Sequence, residues 1–161
     1  MPAIYLVTSA IFAAVLVVVG MTAPAAAAES WATTCDEGNR CTARVTVTDT
    51  KSGRVFASVG VQVGKDGAEP GLIVFAPLGV ALKPGFRAVI DGQDFLVPFE
   101  VCYPDGCRAV AKFTPAELEV WLTAETASLQ FFPFESDKAV AADLPLAGLR
   151  EALKDVLPPA P

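Results

Sequence analysis

The most reactive side chains in this chain are four cysteines, which occur as two close pairs. Cys35 is followed by Cys41, and Cys102 by Cys107, in a chain without histidine. The commonest general base and transition-metal ligand are therefore missing, so Ser-His and Cys-His nucleophilic arrangements are excluded. A thioredoxin-type redox pair is disfavoured too, because such sites place two residues between the cysteines at the start of a helix. We interpret the cysteines as structural.

The pairing of the cysteines depends on the compartment and on local turn chemistry. In an exported domain, four cysteines form two disulfides. Chain entropy favours a crossed pairing, at about 4 kcal/mol for a long loop against about 2 kcal/mol for each short loop. Geometry favours the local pairing, because residues 103–106 (Tyr-Pro-Asp-Gly) suit a tight turn that sets Cys102 beside Cys107. We predict the Cys102–Cys107 disulfide on this ground and the Cys35–Cys41 disulfide by elimination.

Carboxylates offer the other chemical alternative. Asp91, Asp94 and Glu100 carry oxygen ligands suited to calcium, but their spacing lacks the repeated ligands of an EF-hand loop. We interpret them as turn residues, and Asp36 and Glu37 as solvated acids. No glycine-rich phosphate loop joins a strand to a helix, so nucleotide binding has no support. The prediction is that the chain has no catalytic residues, cofactor or metal.

The N-terminus predicts export. Residues 1–28 contain no charged side chain, and residues 4–20 are almost wholly apolar. Ala26 and Ala28 supply the small residues that a signal peptidase needs for cleavage before Glu29, which predicts a signal peptide over 1–28 and a periplasmic or secreted protein. An uncleaved membrane anchor is the alternative, because the apolar run is long and no basic residue precedes it. Cleavage is favoured because the apolar segment ends in an alanine-rich stretch and no stop-transfer cluster of charged residues follows it.

Length and charge limit the remaining function classes. Residues 29–157 are predicted to form one domain, followed by a proline-rich tail over 158–161. The net charge is −6, and no basic cluster is present. Nucleic-acid binding is therefore disfavoured, because it depends on Lys and Arg at the phosphates. An anionic lipid surface is disfavoured as well, and membrane association is predicted only if the N-terminal segment is retained.

Alternating apolar and polar residues predict three antiparallel hairpins in succession. A turn at 49–53 closes the first, a turn at 91–94 the second, and the Cys102–Cys107 pair the third. The strand 72–76 is predicted to be covered on both faces and to end at Pro77. The pattern indicates a mainly β, sandwich-like domain. The other predicted strands include 43–47, 55–63, 86–90, 95–102, 129–134, in which Pro133 suggests a sheet edge, and 139–144.

Two short helices accompany the strands, one after the second cysteine pair and one at the C-terminus. Thr114 as N-cap, Pro115 at the first helical position and Glu117 three residues after the cap predict a helix start. The second helix is predicted over about residues 146–156, before the proline-rich tail. The apolar residues predicted to face the core are Leu118, Trp121 and Leu122 in the first helix and Leu149, Leu153 and Val156 in the second.

Three phenylalanines do not fit a single core face. In the alternating pattern of a strand, Phe56 falls on the same face as the polar residues of its strand. Phe132 and Phe134 fall on the face opposite to that of Phe131. Exposed aromatic side chains can mark partner contacts, which makes these three the candidate contact residues. The alternative, which we favour, is that the C-terminal helix covers them.

Taken together, several motifs show a resemblance to a known family. They are Trp31, the two cysteine pairs, Pro77-Leu78-Gly79-Val80, Lys83-Pro84-Gly85, Ile90-Asp91-Gly92, Pro98-Phe99 and the Leu-Pro-Leu-Ala-Gly-Leu stretch at 144–149. In these motifs the chain resembles the invasion-associated locus B family of Gram-negative exported proteins. The resemblance implies a compact, β-rich, disulfide-stabilised domain in a family named for host-cell invasion. It carries over no catalytic motif.

The residues and the resemblance together predict a non-enzymatic, exported domain that binds a protein of the cell envelope or of the host surface. The alternatives are a periplasmic small-ligand binder, a carboxylate-based enzyme, or a membrane-tethered envelope factor. A broad apolar patch would favour protein interaction, whereas a deep pocket with convergent Asp or Glu side chains would favour a ligand or substrate.

Overall fold

The computed structural model describes residues 30–158. The predicted signal peptide and its cleavage site lie outside these residues, as does the tail beyond Pro158. The elements are β1 (Ala32–Cys35), β2 (Cys41–Thr48), β3 (Val55–Val63), a 3-10 turn (Lys65–Gly67), β4 (Gly71–Ala76), β5 (Phe86–Ile90), β6 (Gln93–Val97), β7 (Phe99–Tyr103), β8 (Gly106–Lys112), α1 (Pro115–Thr123), β9 (Thr126–Phe131), β10 (Val140–Pro145) and α2 (Leu149–Ala152).

The strands form two antiparallel sheets. One has six strands in the order β1-β2-β3-β4-β8-β7, and the other has four in the order β10-β9-β5-β6. Because side chains alternate along a strand, each sheet directs one set of apolar residues into a shared core. The predicted β-sandwich-like class is confirmed. The largest fully buried side chains are Trp121, Phe86, Leu72, Ile90, Leu129, Leu144, Leu149 and Leu153.

The chain changes sheets at Pro98, where the sequence predicts one continuous strand over 95–102. That prediction is wrong, because β6 belongs to the four-stranded sheet and β7 to the six-stranded sheet. Proline has no N–H for the ladder, which makes it a natural point for a strand to end. The Pro98 carbonyl still accepts a hydrogen bond from the Val110 amide, at 3.2 Å. This crossover joins the two sheets along one side of the sandwich.

A β-bulge changes which side chains of the first hairpin face the core. Thr48 pairs with Val55, but Val47 pairs with Ala57, so Phe56 is the extra residue between them. Phe56 and Ala57 are consequently both buried, although they are adjacent in sequence. The expectation that Phe56 lies on the polar side of its strand is therefore wrong.

Two further strand predictions differ from the structure. Ile73 and Phe75 of β4 are only half-buried, so this strand is not covered on both faces, although it does end before Pro77. The strand β9 lies between β10 and β5 and is not at an edge. It ends at Phe131, so Pro133 lies beyond the ladder, where it forms an isolated bridge with Val80.

The first helix begins where the sequence predicts. The Thr114 hydroxyl accepts a hydrogen bond from the Glu117 amide at 3.2 Å, and the Glu117 carboxylate accepts one from the Thr114 amide at 2.7 Å. Hydrogen bonds that the Thr114 amide and hydroxyl donate to the ionised carboxylate hold the pKa of Glu117 below its usual value. The second helix is shorter than predicted and follows Gly148, whose φ is 87°. The predicted core residues of both helices are nevertheless buried.

Gly106→Ala is expected to destabilise the third hairpin. A Cβ at Gly106 would lie 2.6 Å from the carbonyl oxygen of Ala76, a backbone atom of the central strand β4. Overpacking of this kind lowers the free energy of unfolding by about 1–3 kcal/mol. Gly92→Ala is the matched control, because Gly92 also has a positive φ but a Cβ added there would have no atom within 4 Å. Urea unfolding should show the larger loss for Gly106→Ala, and equal losses would contradict the steric argument.

Candidate functional site

The cysteines form the two predicted local disulfides, Cys35–Cys41 and Cys102–Cys107. Each disulfide joins residues that face each other across an antiparallel strand pair. Cys41 and Cys107 are buried, whereas Cys35 and Cys102 are exposed. No cysteine among residues 30–158 is free. The cysteines therefore fasten two hairpins and offer no thiolate for nucleophilic chemistry.

The three carboxylates considered for calcium do not converge. Asp94 lies on the four-stranded sheet and pairs with Arg87 at 3.2 Å, whereas Glu100 lies on the six-stranded sheet and pairs with Arg108 at 3.0 Å. Asp91 is the first residue of the two-residue turn between β5 and β6, with a φ of 48°. Within the described part of the chain, no group of three or more His, Cys, Asp or Glu side chains is placed to hold a metal ion.

A second acidic location is the turn of the first hairpin. There, Asp49 and Asp143 line a depression of about 350 Å³ together with Lys51 and Ala142. Asp49 accepts hydrogen bonds from the amides of Ser52 at 2.6 Å and Lys51 at 3.1 Å. Hydrogen bonding by Ser52 lowers the pKa of Asp49, whereas a general acid near neutral pH needs a raised one. Asp49 therefore acts as a turn-stabilising residue.

The three candidate aromatic contacts lie in different environments. Phe56 is only 5% exposed, and its ring lies 4.8 Å from that of Phe131, centroid to centroid. Phe132 is half-buried, and Phe134 is 68% exposed. Phe56 thus belongs to the core, and of the three only Phe134 offers a large apolar surface to a partner.

Other exposed apolar side chains lie on the loop that is hydrogen-bonded to the Phe134 segment and on the adjoining strand β6. Leu78 is 56% exposed, Leu82 52% and Leu96 54%, which places them with Phe134 among the most exposed large apolar side chains of the described residues. We call these four residues the loop patch. The available sequence signal is that Leu78 and Leu82 lie beside turn-forming Pro and Gly residues, where a buried side chain is not expected.

Backbone hydrogen bonds hold the segments of the loop patch together. The Phe134 amide donates to the Gly79 carbonyl at 2.7 Å, and the Ala81 amide donates to the Phe132 carbonyl at 2.8 Å. The Gly85 amide donates to the Leu82 carbonyl at 3.1 Å, which closes a turn beside β6. A Cβ on Gly85 would lie 2.8 Å from a methyl carbon of Leu96, so this leucine lies directly over the turn. The exposed side chains are therefore carried by an ordered scaffold.

Charged side chains border the loop patch, among them the exposed Glu135 directly after Phe134. Lys83 is exposed in the loop before β5 and forms no ion pair with any residue in 30–158. Arg87 faces Leu96 across the β5–β6 pair, and its guanidinium forms an ion pair with Asp94. A surface with clustered apolar side chains beside an exposed lysine is suited to contact with another macromolecule.

Comparison with known proteins places the chain in a family. The family model described as invasion associated locus B (IalB) protein matches residues 31–157. The chain belongs to the invasion associated locus B family. This IalB assignment confirms the resemblance seen in the sequence motifs, and the family is not a known enzyme family.

A solved structure shares the IalB fold. It is the crystal structure of invasion associated protein B from Bartonella henselae, with a TM-score of 0.66 and 17% sequence identity, covering 80% of this chain and 92% of that one. At this identity the likeness shows the fold. A search of the curated proteins gives no match. Among residues 30–158, no helix is both long and apolar enough to cross a membrane.

Proposed function

We propose that this IalB-family protein is an exported, non-enzymatic domain of the cell envelope that binds another protein through the loop patch. The observation that carries the proposal is the grouping of Leu78, Leu82, Leu96 and Phe134 on one hydrogen-bonded scaffold. Burying a large apolar side chain contributes about 1.5–3 kcal/mol, so four of them supply a substantial part of a binding free energy. The partner is a protein of the envelope or of the host surface, in keeping with the invasion role for which the family is named.

Export and the two disulfides support each other in this proposal. The N-terminal 28 residues have the pattern of a signal peptide, and both hairpin disulfides need an oxidising compartment to persist. The protein is accordingly proposed to act in the periplasm or outside the cell.

The enzymatic alternative receives less support from the geometry. The carboxylates of Asp94 and Glu100 are each paired with an arginine on different sheets, and Asp49 stabilises a turn. An acid and base pair for hydrolysis needs two groups facing one cleft with pKa values shifted apart. The exposed apolar side chains of the loop patch support the interaction function instead.

The test compares partner capture by three forms of the protein. The wild type should cross-link to a specific envelope or host-surface protein, and Leu78→Ser/Leu82→Ser/Phe134→Ser should reduce capture at least about tenfold, because each lost apolar contact removes about 1 kcal/mol or more. Val55→Ser/Tyr103→Ser is the matched control, since it removes exposed apolar side chains outside the patch.

Equal capture by the wild type and the loop-patch variant would overturn the proposal, provided that both unfold at the same urea concentration. Loss of capture by the control variant as well would also overturn it, because the interaction would then not be specific to the patch. A loop-patch variant that loses sedimentation with lipid vesicles but captures protein normally would identify the patch as a lipid contact instead.

A further inference from the structure

The outer face of the six-stranded sheet has a depression that the backbone itself creates. Gln62 pairs with Gly71, and Gly71 pairs with Lys112, so the three residues form one row across β3, β4 and β8. In the next row, Gly60 pairs with Ile73, and Ile73 with Val110. Because Gly71 lacks a side chain, a groove of about 300 Å³ opens between its neighbours, at the small end of the range for ligand sites.

The absence of a side chain at Gly71 is required by the packing of the sheet. A Cβ at this position would lie 2.9 Å from the carbonyl oxygen of Ala111 on β8, closer than Cβ atoms approach backbone oxygens. The groove is therefore a fixed feature of the sheet.

One end of the groove is apolar. Ile73 and Val110 are half-buried side chains that line it. Phe75, also half-buried, lies two residues further along β4, about 7 Å away at a rise of about 3.4 Å per residue, and the Arg44 guanidinium lies over its ring, 5.6 Å from the centroid. An unbranched apolar chain can therefore lie over Ile73 and Val110, and the Arg44 guanidinium marks the end of the apolar surface.

The other end of the groove carries a lysine. Lys112 forms no ion pair with any residue of the described segment. Glu69 also lines the groove, but its carboxylate is paired with the guanidinium of Arg40. The groove lining therefore has one surplus positive charge, in a protein whose net charge is −6. The Gln62 side chain lies across Gly71 from Lys112, and its amide donates a hydrogen bond to the Thr42 hydroxyl at 3.4 Å.

We propose that this groove binds an amphipathic monoanion, a carboxylate with an unbranched acyl chain. The ligand carboxylate contacts the Lys112 ammonium, and its chain lies over Ile73 and Val110 towards Phe75. The single surplus positive charge of the lining matches a ligand that carries one negative charge. The site lies on the six-stranded sheet, whereas Leu96 of the loop patch lies on the four-stranded sheet, so this inference is independent of the proposed protein partner.

The test is an amide NMR titration of the purified protein with decanoate below its micelle concentration. The expected result is saturable shifts at Gly71, Ile73, Val110 and Lys112, with binding at least about tenfold weaker for decanol, as expected when a charge-assisted hydrogen bond is lost. Lys112→Gln should weaken decanoate binding by a similar factor. Lys138→Gln is the matched control, since Lys138 is an exposed lysine outside the groove.

A second variant keeps the result decisive. Ile73→Glu places a negative charge in the groove at a half-buried position and should abolish the decanoate shifts while the remaining amide spectrum stays native. Decanoate shifts outside the groove, equal binding by Lys112→Gln and wild type, or equal binding of decanol and decanoate would each overturn the proposal. Because none of these readings uses a protein partner, failure of the proposed interaction function would leave them unchanged.

Discussion

Trp121→Ala is expected to lower the free energy of unfolding by about 3–5 kcal/mol, as do other truncations of large buried aromatic residues. Trp121 is fully buried and lies 6.0 Å from Phe95 and 5.5 Å from Phe113, measured between ring centroids. Phe95 belongs to the four-stranded sheet, and Phe113 follows the last strand of the β7–β8 hairpin. The indole thus fixes α1 at the place where the chain leaves one sheet and returns to the other.

The helix itself explains why this loss is large. At nine residues, α1 is too short to be stable in isolation, because helices below about 12–15 residues are marginal in water. Its stability therefore comes from the packing of Trp121, Leu118 and Leu122 on the core. A domain of this size has a total stability of about 5–15 kcal/mol, so the substitution removes a large fraction of it.

Trp121→Phe is the matched control for this prediction. The indole nitrogen of Trp121 is buried without a hydrogen-bond partner among the described residues. Phenylalanine removes this unsatisfied donor, worth about 1–3 kcal/mol, and thereby offsets part of the lost packing. Urea unfolding followed by circular dichroism should show less than half of the loss seen for Trp121→Ala. Equal losses for the two variants, or a loss below about 1 kcal/mol for alanine, would contradict this account of the core.

The features that the sequence predicts correctly are those determined by neighbouring residues. Thr114, Pro115 and Glu117 form the start of α1 through contacts within one helical turn. The turn at residues 103–106 brings Cys102 beside Cys107 without reference to the rest of the chain. Period-two alternation likewise indicates which face of a strand is buried, and it predicts the sandwich because strands of both sheets direct apolar side chains into one core.

The errors arise where pairing with a distant strand decides the local structure. Phe56 enters the core because the ladder with β2 skips one residue at the bulge. The strand predicted over 95–102 divides at Pro98 because its two halves find different sheets. Pro133 suggests an edge strand, but β9 ends before it and is paired on both sides. The spacing of neighbouring residues does not encode which partner strand each of these segments finds.

The two candidate surfaces depend even more on tertiary structure. The loop patch needs the hydrogen bonds that bring Phe134 beside Gly79, across more than fifty residues of chain. The groove needs the registers of three strands, which align Gln62, Gly71 and Lys112 in one row. Strand parity singles out Phe134, but it groups this residue with Phe56, which the bulge buries.

Phe56→Ser and Phe134→Ser are expected to have opposite consequences, although the two residues have the same chemistry. Phe56→Ser should lower the free energy of unfolding by about 3–5 kcal/mol for the lost ring, with a further loss of about 1–3 kcal/mol for a buried hydroxyl without a partner. A loss of this size approaches the total stability of a small domain, about 5–15 kcal/mol, so a largely unfolded population is expected. Phe56→Leu, which keeps an apolar side chain against Phe131, should lose distinctly less.

Phe134→Ser should change the free energy of unfolding by no more than about 0.5 kcal/mol, because substitutions at exposed positions rarely change it further. If the loop patch binds a protein, the same variant should lose partner capture while its urea unfolding curve matches that of the wild type. A destabilisation equal to that of Phe56→Ser would show that Phe134 is covered in solution, and unchanged capture would remove it from the interface. Because loss of capture by Phe56→Ser follows from unfolding alone, the pair separates a contact residue from a core residue, a distinction that their strand parity does not make.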